Sequence, residues 1–171
     1  MHKLGDLLVD KPVMKFGLVG AGAIAHAYVD AFSDCAGAEL CGIADVRPDA
    51  AQALAEAVGC ADYASDGDLL SEQPLDAVIV CTPPAMHPEI CIRALQAGKH
   101  VLCEKPLAVD SEQARAMIVA AEKAGRKLSM ASKFRHVDDV IRARAIVSSG
   151  IQGEDIFFEH VFTSRDDMST R

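Results

Sequence analysis

The chain has 171 residues, of which half are hydrophobic and a quarter are charged, a composition that suits one globular domain or one domain and part of another. Its 25 acidic and 17 basic residues give a net charge of −8, and no basic cluster occurs, so we expect neither a nucleic-acid partner nor binding to an anionic membrane. No apolar run approaches the roughly 18 residues of a membrane span, and the N-terminal segment lacks a secretory signal pattern, which predicts a cytoplasmic protein.

Short β-rich runs alternate with helical segments from Lys15 to Ser132. The strands are predicted at Lys15–Gly20, Ala38–Asp45, Cys60–Tyr63, Asp76–Thr82, Lys99–Glu104 and Lys127–Ser132. The helices, which show apolar residues at helical spacing, are predicted at Ala23–Phe32, Pro48–Val58, Pro88–Ala97 and Ser111–Ala124. This alternation predicts an α/β fold with a doubly wound parallel (Rossmann) sheet.

The rhythm changes after Ser132. A helix is predicted over Val137–Ser149, and a long strand over Glu154–Thr163 has no helix after it. We therefore divide the chain into a Rossmann domain, residues 14–133, and a different segment, residues 134–171, which the resemblance described below implies is the start of an α+β second domain.

A glycine motif follows the first predicted strand and opens the first helix. Gly20 and Gly22 with Ala25 match G-x-G-x-x-[G/A], in which the first glycine permits a tight turn, the second admits a pyrophosphate, and the third position packs helix on strand. The helix N-terminus at Ala23 and Ile24 offers free N–H groups to phosphates. The motif predicts a dinucleotide site.

The second predicted strand ends at Asp45, about 25 residues after Gly20, where an acidic residue binds the adenosine ribose hydroxyls. A carboxylate there repels a 2′-phosphate, which favours NAD over NADP. Arg47 lies two residues on and weakens that preference, so NADP is the alternative. A plain α/β turn with an incidental acid is the non-functional reading of the same residues.

Six cysteines lack C-x-x-C pairing and metal-ligand spacing to a histidine, and we expect reduced, buried thiols and no metal site. Two further segments lie at predicted strand ends: Thr82-Pro83-Pro84 with His87, and Glu104-Lys105-Pro106 after Gly-Lys-His-Val. With the glycine motif and Asp45, they resemble the glucose–fructose oxidoreductase and inositol dehydrogenase family (Gfo/Idh/MocA) over residues 14–164.

The resemblance implies an NAD(P)-dependent oxidoreductase that acts on a sugar, inositol or related hydroxyl or carbonyl compound. It implies that Lys105 is catalytic and lies beside the nicotinamide with Glu104, and that Thr82, Pro83, Pro84 and His87 line the cofactor. It also implies that residues 134–171 are the linking helix and first strand of an incomplete C-terminal substrate domain, through which members of the family form homo-oligomers.

The chemistry also favours a lysine at this position. Oxidation of a hydroxyl releases a hydride and a proton, and a nearby cation stabilises the alkoxide that develops. Pro106 restricts the backbone beside Lys105, and a cis bond between them is compatible with the sequence. The alternative for Lys105 is a solvated loop lysine. For the whole chain, the alternative to an enzyme is a non-catalytic dinucleotide-binding module or sensor that needs a partner chain.

Overall fold

The computed structural model describes residues 12–154, and the chain divides into two compact units at Ser132 and Lys133. The first unit holds one six-stranded sheet in which every strand is parallel to its neighbours, in the order β3-β2-β1-β4-β5-β6. The strands are β1 Met14–Val19, β2 Ala38–Ala44, β3 Ala61–Tyr63, β4 Ala77–Val80, β5 His100–Cys103 and β6 Leu128–Met130.

Five helices connect these strands. They are α1 Ala23–Ser33, α2 Pro48–Val58, α3 Asp66–Glu72, α4 His87–Gln96 and α5 Ser111–Ala124. The strand order reverses direction between β1 and β4, and a sheet of this kind binds its ligand outside the carboxyl ends of the strands at that point. The predicted doubly wound sheet is therefore confirmed.

The sequence missed α3. This helix has seven residues, too few to show a helical period. Its start is fixed by the Ser65 side chain, which accepts a hydrogen bond from the Asp68 backbone N–H. A serine at the N-cap, followed by acidic residues in the first turn, is the sequence feature that could have indicated the start of this helix.

The core lies on both faces of the sheet, because successive strand residues point to opposite sides. Leu18, Ile43 and Ile79 pack on one face in a cluster that includes helical residues such as Ala25 and Leu54. The other face is formed by the alternate strand positions, with residues such as Leu95 and Met117 from α4 and α5. The continuous apolar character of β4, which is buried along its whole length, follows from this double covering.

The described part of the second unit has a short 3-10 helix, Lys133–His136, and the helix α6, Asp138–Ser148. The strand predicted over 154–163 lies, apart from its first residue, outside the described residues. Across residues 12–154, no helix combines the length and the apolar character that crossing a membrane requires.

Candidate functional site

A cleft of about 660 Å³ opens at the carboxyl edge of the sheet, within the size range of small-molecule sites. Segments that follow three strands line it: Gly20 and Gly22 after β1, Asp45 after β2, and Thr82 and Pro83 after β4. The cleft thus lies at the point where the strand order reverses, and it brings together six of the predicted site residues, these five and Arg47.

Gly20 makes the turn from β1 into the cleft. Its φ is +99°, a conformation that L side chains rarely adopt, and its N–H donates to the Ala44 carbonyl over 2.8 Å. A Cβ atom at this position would lie 2.8 Å from the carbonyl carbon of Cys81 and 2.9 Å from the Thr82 nitrogen. Only glycine fits, because the backbone after β4 passes so close.

Gly22 has a different reason to be glycine. Its φ is −84°, and a Cβ atom there would meet nothing within 4 Å. Gly22 caps α1 without a side-chain hydrogen bond, and the first N–H groups of a helix have no carbonyl one turn earlier to bind. The N–H groups at Gly22, Ala23 and Ile24, with the positive end of the helix dipole, therefore form a site suited to an anion.

Asp45 forms the wall of the cleft next to this helix. The Ala21 N–H donates to its Oδ2 over 2.7 Å, and the Arg47 N–H donates to its Oδ1 over 2.8 Å. The Arg47 Nε also donates to Oδ1 over 3.2 Å. Partial burial raises the pKa of the Asp45 carboxyl, but the hydrogen bonds from Arg47 and Ala21 and the guanidinium charge outweigh it, so the pKa lies below its usual value. Asp45 is ionised at neutral pH.

Thr82 and Pro83 form the wall after β4. The Thr82 Oγ1 is buried and has no hydrogen-bond partner among residues 12–154, although buried polar atoms are rarely left unpaired. Pro84, also predicted to line the cofactor, begins a 3-10 helix, Pro84–Met86, that leads into α4. Thr82 and Pro83 line the cleft directly.

His87 is fully buried, and it is the single buried polar side chain in the described part of the chain. Its Nδ1 lies 2.9 Å from the Pro106 carbonyl oxygen and its Nε2 lies 2.8 Å from the Thr82 carbonyl oxygen. A neutral imidazole donates through one nitrogen and an imidazolium through both. His87 thus links the segment after β4 to the segment after β5, and its ring nitrogens face backbone rather than the cleft.

The segment after β5 carries Glu104 and Lys105 at the same sheet edge. The Glu104 N–H donates to the Val80 carbonyl over 2.9 Å, which places it beside the end of β4. Lys105 is exposed, and the peptide bond between Lys105 and Pro106 is cis. Neither Glu104 nor Lys105 lines the cleft in this structure.

Sequence reasoning did not find the outer wall of the cleft. Asp66, at the start of α3, accepts two hydrogen bonds from the Arg93 guanidinium, at 2.7 and 2.6 Å. Arg93 also pairs with Glu89 on its own helix, at 2.6 Å, and all three residues line the cleft. Arg93 and Asp66 are 27 residues apart, so no local pattern could indicate their pairing.

The arrangement offers a dinucleotide three complementary surfaces: N–H donors for a pyrophosphate, an ionised carboxylate for hydroxyl groups, and apolar side chains for a ring. The apolar side chains include Val46, Met86 and Ile90. In residues 12–154, no group of three His, Cys, Asp or Glu side chains is placed to hold a metal ion.

Comparison with known proteins agrees with this geometry. A model of the Gfo/Idh/MocA oxidoreductase family, described by an NAD-binding Rossmann fold, matches residues 14–132. The inositol 2-dehydrogenase of Rhizobium meliloti (strain 1021) is 35% identical over 141 residues, which are 82% of this chain and 42% of that protein. The D-glucoside 3-dehydrogenase of Escherichia coli (strain K12) is 40% identical over 147 residues, 82% of this chain and 41% of that protein.

Among solved structures, the WlbA dehydrogenase of Bordetella pertussis, in complex with NADH and UDP-GlcNAcA, superimposes with a TM-score of 0.81 at 32% identity. The match covers 85% of this chain and 42% of that one. The chain therefore spans about two fifths of the length of these relatives. The glycine fingerprint, the sheet order and the family match agree over residues 14–132. The chain therefore belongs to the Gfo/Idh/MocA oxidoreductase family, and the matched residues form the NAD-binding Rossmann fold of that family.

Proposed function

We propose that this chain is the cofactor-binding part of an NAD(P)-dependent oxidoreductase that transfers a hydride between nicotinamide and a sugar, inositol or related hydroxyl or carbonyl compound. The observation that carries the proposal is the cleft itself, where Gly22, Asp45 and Thr82 meet. The dinucleotide, when bound, supplies the hydride acceptor or donor, and the residues of this chain bind and orient it.

The glycine turn receives the pyrophosphate. The open space at Gly22 lets phosphate oxygens approach the N–H groups at Gly22, Ala23 and Ile24, and the helix dipole favours their negative charge. Thr82, whose buried hydroxyl lacks a partner in the described residues, lines the cofactor with Pro83 and Pro84. His87 supports that wall from behind rather than touching the ligand.

Asp45 binds the adenosine ribose. Each carboxylate oxygen accepts from one backbone N–H and from one nitrogen of the Arg47 guanidinium. When the exposed Arg47 side chain turns away, one lone pair on each oxygen becomes free for a ribose hydroxyl donor. An ionised carboxylate repels a 2′-phosphate, so NAD is preferred. Arg47, whose side chain is 65% exposed, is free to turn toward a 2′-phosphate, which keeps NADP as the second cofactor.

Lys105 is the residue that meets the substrate, with Glu104 beside it. It follows β5 at the carboxyl edge of the sheet, the edge at which the cleft opens, and its exposed ammonium group has no hydrogen-bond or ion-pair partner among residues 12–154. When the substrate carbonyl is reduced, the carbon accepts the hydride from the nicotinamide and the ammonium group stabilises the alkoxide oxygen and donates a proton to it. In the reverse direction the neutral amine accepts the hydroxyl proton as the hydride passes to the nicotinamide. The names of the relatives, which act on inositol and a glucoside, support a polyol or sugar-like substrate.

We further propose the domain division 14–133 and 134–171, in which the second part links to a substrate domain, and a homo-oligomer built through that domain. Cys81, Cys91 and Cys103 are buried, whereas Cys41 and Cys60 are half-buried and Cys35 is exposed, so the expectation of buried thiols holds for three of the six cysteines. All six are free thiols, which supports a reducing compartment, the cytoplasm.

The test is a titration of NADH and NADPH with the purified chain, followed by the cofactor's own fluorescence, since the chain contains no tryptophan. We expect saturable binding with a preference for NADH, and Asp45→Ala should weaken NADH binding more than NADPH binding. No binding by a folded sample would refute the cofactor site, and equal losses for both cofactors would refute the ribose role. Tight binding without turnover in the complete oxidoreductase would favour the non-catalytic sensor.

A further inference from the structure

The carboxylate of Glu104 is held by two donors from its own chain. Its Oε1 accepts a hydrogen bond from the Tyr28 hydroxyl over 2.8 Å, and its Oε2 accepts one from the Lys105 backbone N–H over 3.0 Å. Tyr28 belongs to α1, the helix whose N-terminus carries the glycine motif. A hydrogen-bonded path of two side chains therefore joins the phosphate-binding helix to the backbone of Lys105, 77 positions further along the chain.

The environment of Tyr28 suits its hydroxyl to donate a hydrogen bond and not to transfer a proton near neutral pH. Burial raises the pKa of its phenol, and the hydrogen bond to Glu104 raises it further, well above the usual value. A tyrosine that accepts protons near neutral pH needs a lowered pKa. The hydroxyl thus stays protonated and acts as the donor in its hydrogen bond to Glu104.

The same segment is fixed at its other end. The Pro106 carbonyl lies 2.9 Å from the fully buried His87 ring, and the Glu104 N–H is bound to β4. The backbone around Lys105 is thereby restrained on both sides, while the Lys105 side chain is exposed. Lys105 thus combines a restrained backbone with an ammonium group that has no partner among residues 12–154. This is the arrangement expected of a side chain that must contact a ligand at a fixed position.

We propose that Tyr28 is a positioning residue, whose hydroxyl acts through the Glu104 carboxylate to fix the backbone of Lys105 at the carboxyl edge of the sheet. The proposal rests on the proposed function for the role of Lys105, and it adds a residue of α1 that neither the glycine motif nor the Glu-Lys-Pro segment contains.

The chain offers a matched control. Its two tyrosines are Tyr28 and Tyr63, and the Tyr63 hydroxyl also makes one hydrogen bond of 2.8 Å, which it accepts from Gln73 Nε2. Tyr63 lies on β3, at the far side of the sheet from β5. Tyr28→Phe and Tyr63→Phe therefore remove equivalent groups, one on the path to Lys105 and one away from it.

The experiment measures hydrogen exchange of the Lys105 amide by NMR in the ¹⁵N-labelled chain, with no cofactor needed. Tyr28→Phe should speed this exchange about fivefold, the effect of losing one supporting hydrogen bond, and Glu104→Gln, which loses an acceptor, should speed it at least as much. Tyr63→Phe should leave it unchanged. Affinity for NADH in Tyr28→Phe should stay close to that of the unaltered chain, because Gly22 and Asp45 are untouched.

Unchanged Lys105 exchange in both Tyr28→Phe and Glu104→Gln would overturn the proposal, and so would an equal increase in Tyr63→Phe. In the complete oxidoreductase, Tyr28→Phe should lower kcat while the KM for NADH is kept, and a raised KM with normal kcat would contradict a positioning role. Failure of the unaltered chain to bind NADH would refute the proposed function alone, since the exchange measurement does not depend on the cofactor.

Discussion

The two glycines of the fingerprint should fail in different ways when each is replaced by alanine. At Gly20 the φ of +99° strains any L residue, and the new Cβ would lie 2.8 to 2.9 Å from the backbone of Cys81 and Thr82. Those atoms belong to the chain leaving β4 and cannot rotate aside as a side chain would. At Gly22 the new methyl group meets nothing within 4 Å.

These contacts set the expected magnitudes. A strained φ costs of order 1–3 kcal/mol, and a forced shift of packed backbone costs about as much again. Gly20→Ala should therefore lower the free energy of unfolding by roughly 2–6 kcal/mol, a large part of the typical total. Gly22→Ala should lower it by no more than about 1 kcal/mol, the difference between glycine and alanine at a helix N-cap.

The assay is urea unfolding followed by circular dichroism, together with the NADH titration. We expect Gly20→Ala to unfold at a clearly lower urea concentration with an unchanged slope. Gly22→Ala should unfold near the unaltered chain but bind NADH at least about tenfold more weakly, a loss of roughly 1.4 kcal/mol, because its methyl group occupies the space meant for phosphate. Normal stability in Gly20→Ala, or normal NADH affinity in Gly22→Ala, would refute this reasoning.

Four further outcomes follow from individual groups. The pKa of Asp45 is lowered in the folded state, so its contribution to stability is full above the unfolded value of about 3.9 and is lost as pH falls through the folded value. Urea unfolding at several pH values should show that acidification lowers the free energy of unfolding less in Asp45→Asn than in the unaltered chain. An equal decrease in both proteins would contradict the assignment. In a Tyr63→Phe background, tyrosinate absorbance reports Tyr28 alone. Its ionisation should lie above the usual pKa of about 10 and fall in Glu104→Gln, whereas no fall would argue against the Glu104 contribution. The stability that its raised pKa provides should be complete below about pH 10 and lost as pH rises toward the folded value. Asp110 caps α5 by accepting from the Gln113 N–H over 2.8 Å, so Asp110→Ala should cost about 1 kcal/mol of unfolding free energy, with Ser111→Ala as a control that should change it little. Lys105→Met should leave NADH binding intact and abolish turnover in the complete oxidoreductase, and retained turnover would remove Lys105 from the chemistry.

Several elements could be predicted from the sequence because their causes are local. Pro48 and Gly59 bound α2 as predicted, since proline suits a first turn and Gly59 adopts the left-handed conformation that ends the helix. Asp110 and Gly125 bound α5 for the same kind of reason. The cofactor fingerprint is also local, because Gly20, Gly22 and the N-terminus of α1 lie within five residues of one another.

Other features depend on contacts between distant parts of the chain. His87 was predicted to line the cofactor, and only the fold shows that its ring is enclosed between two backbone carbonyls. The pairing of Arg93 with Asp66 and that of Tyr28 with Glu104 join residues 27 and 76 positions apart. These pairs form because the order of the parallel strands determines which loops lie next to each other at one edge of the sheet. The spacing of residues along the sequence gives no information about that order.

The sequence by itself thus determined the doubly wound sheet, the turn at the glycine motif and the acid at the end of β2, because propensity, hydrophobic period and capping act over a few residues. Only the tertiary structure decided which side chains close the cleft and what holds Lys105 in place. Those depend on the strand order and on how closely the backbone after β4 approaches Gly20, and both are properties of the packed sheet rather than of any one segment.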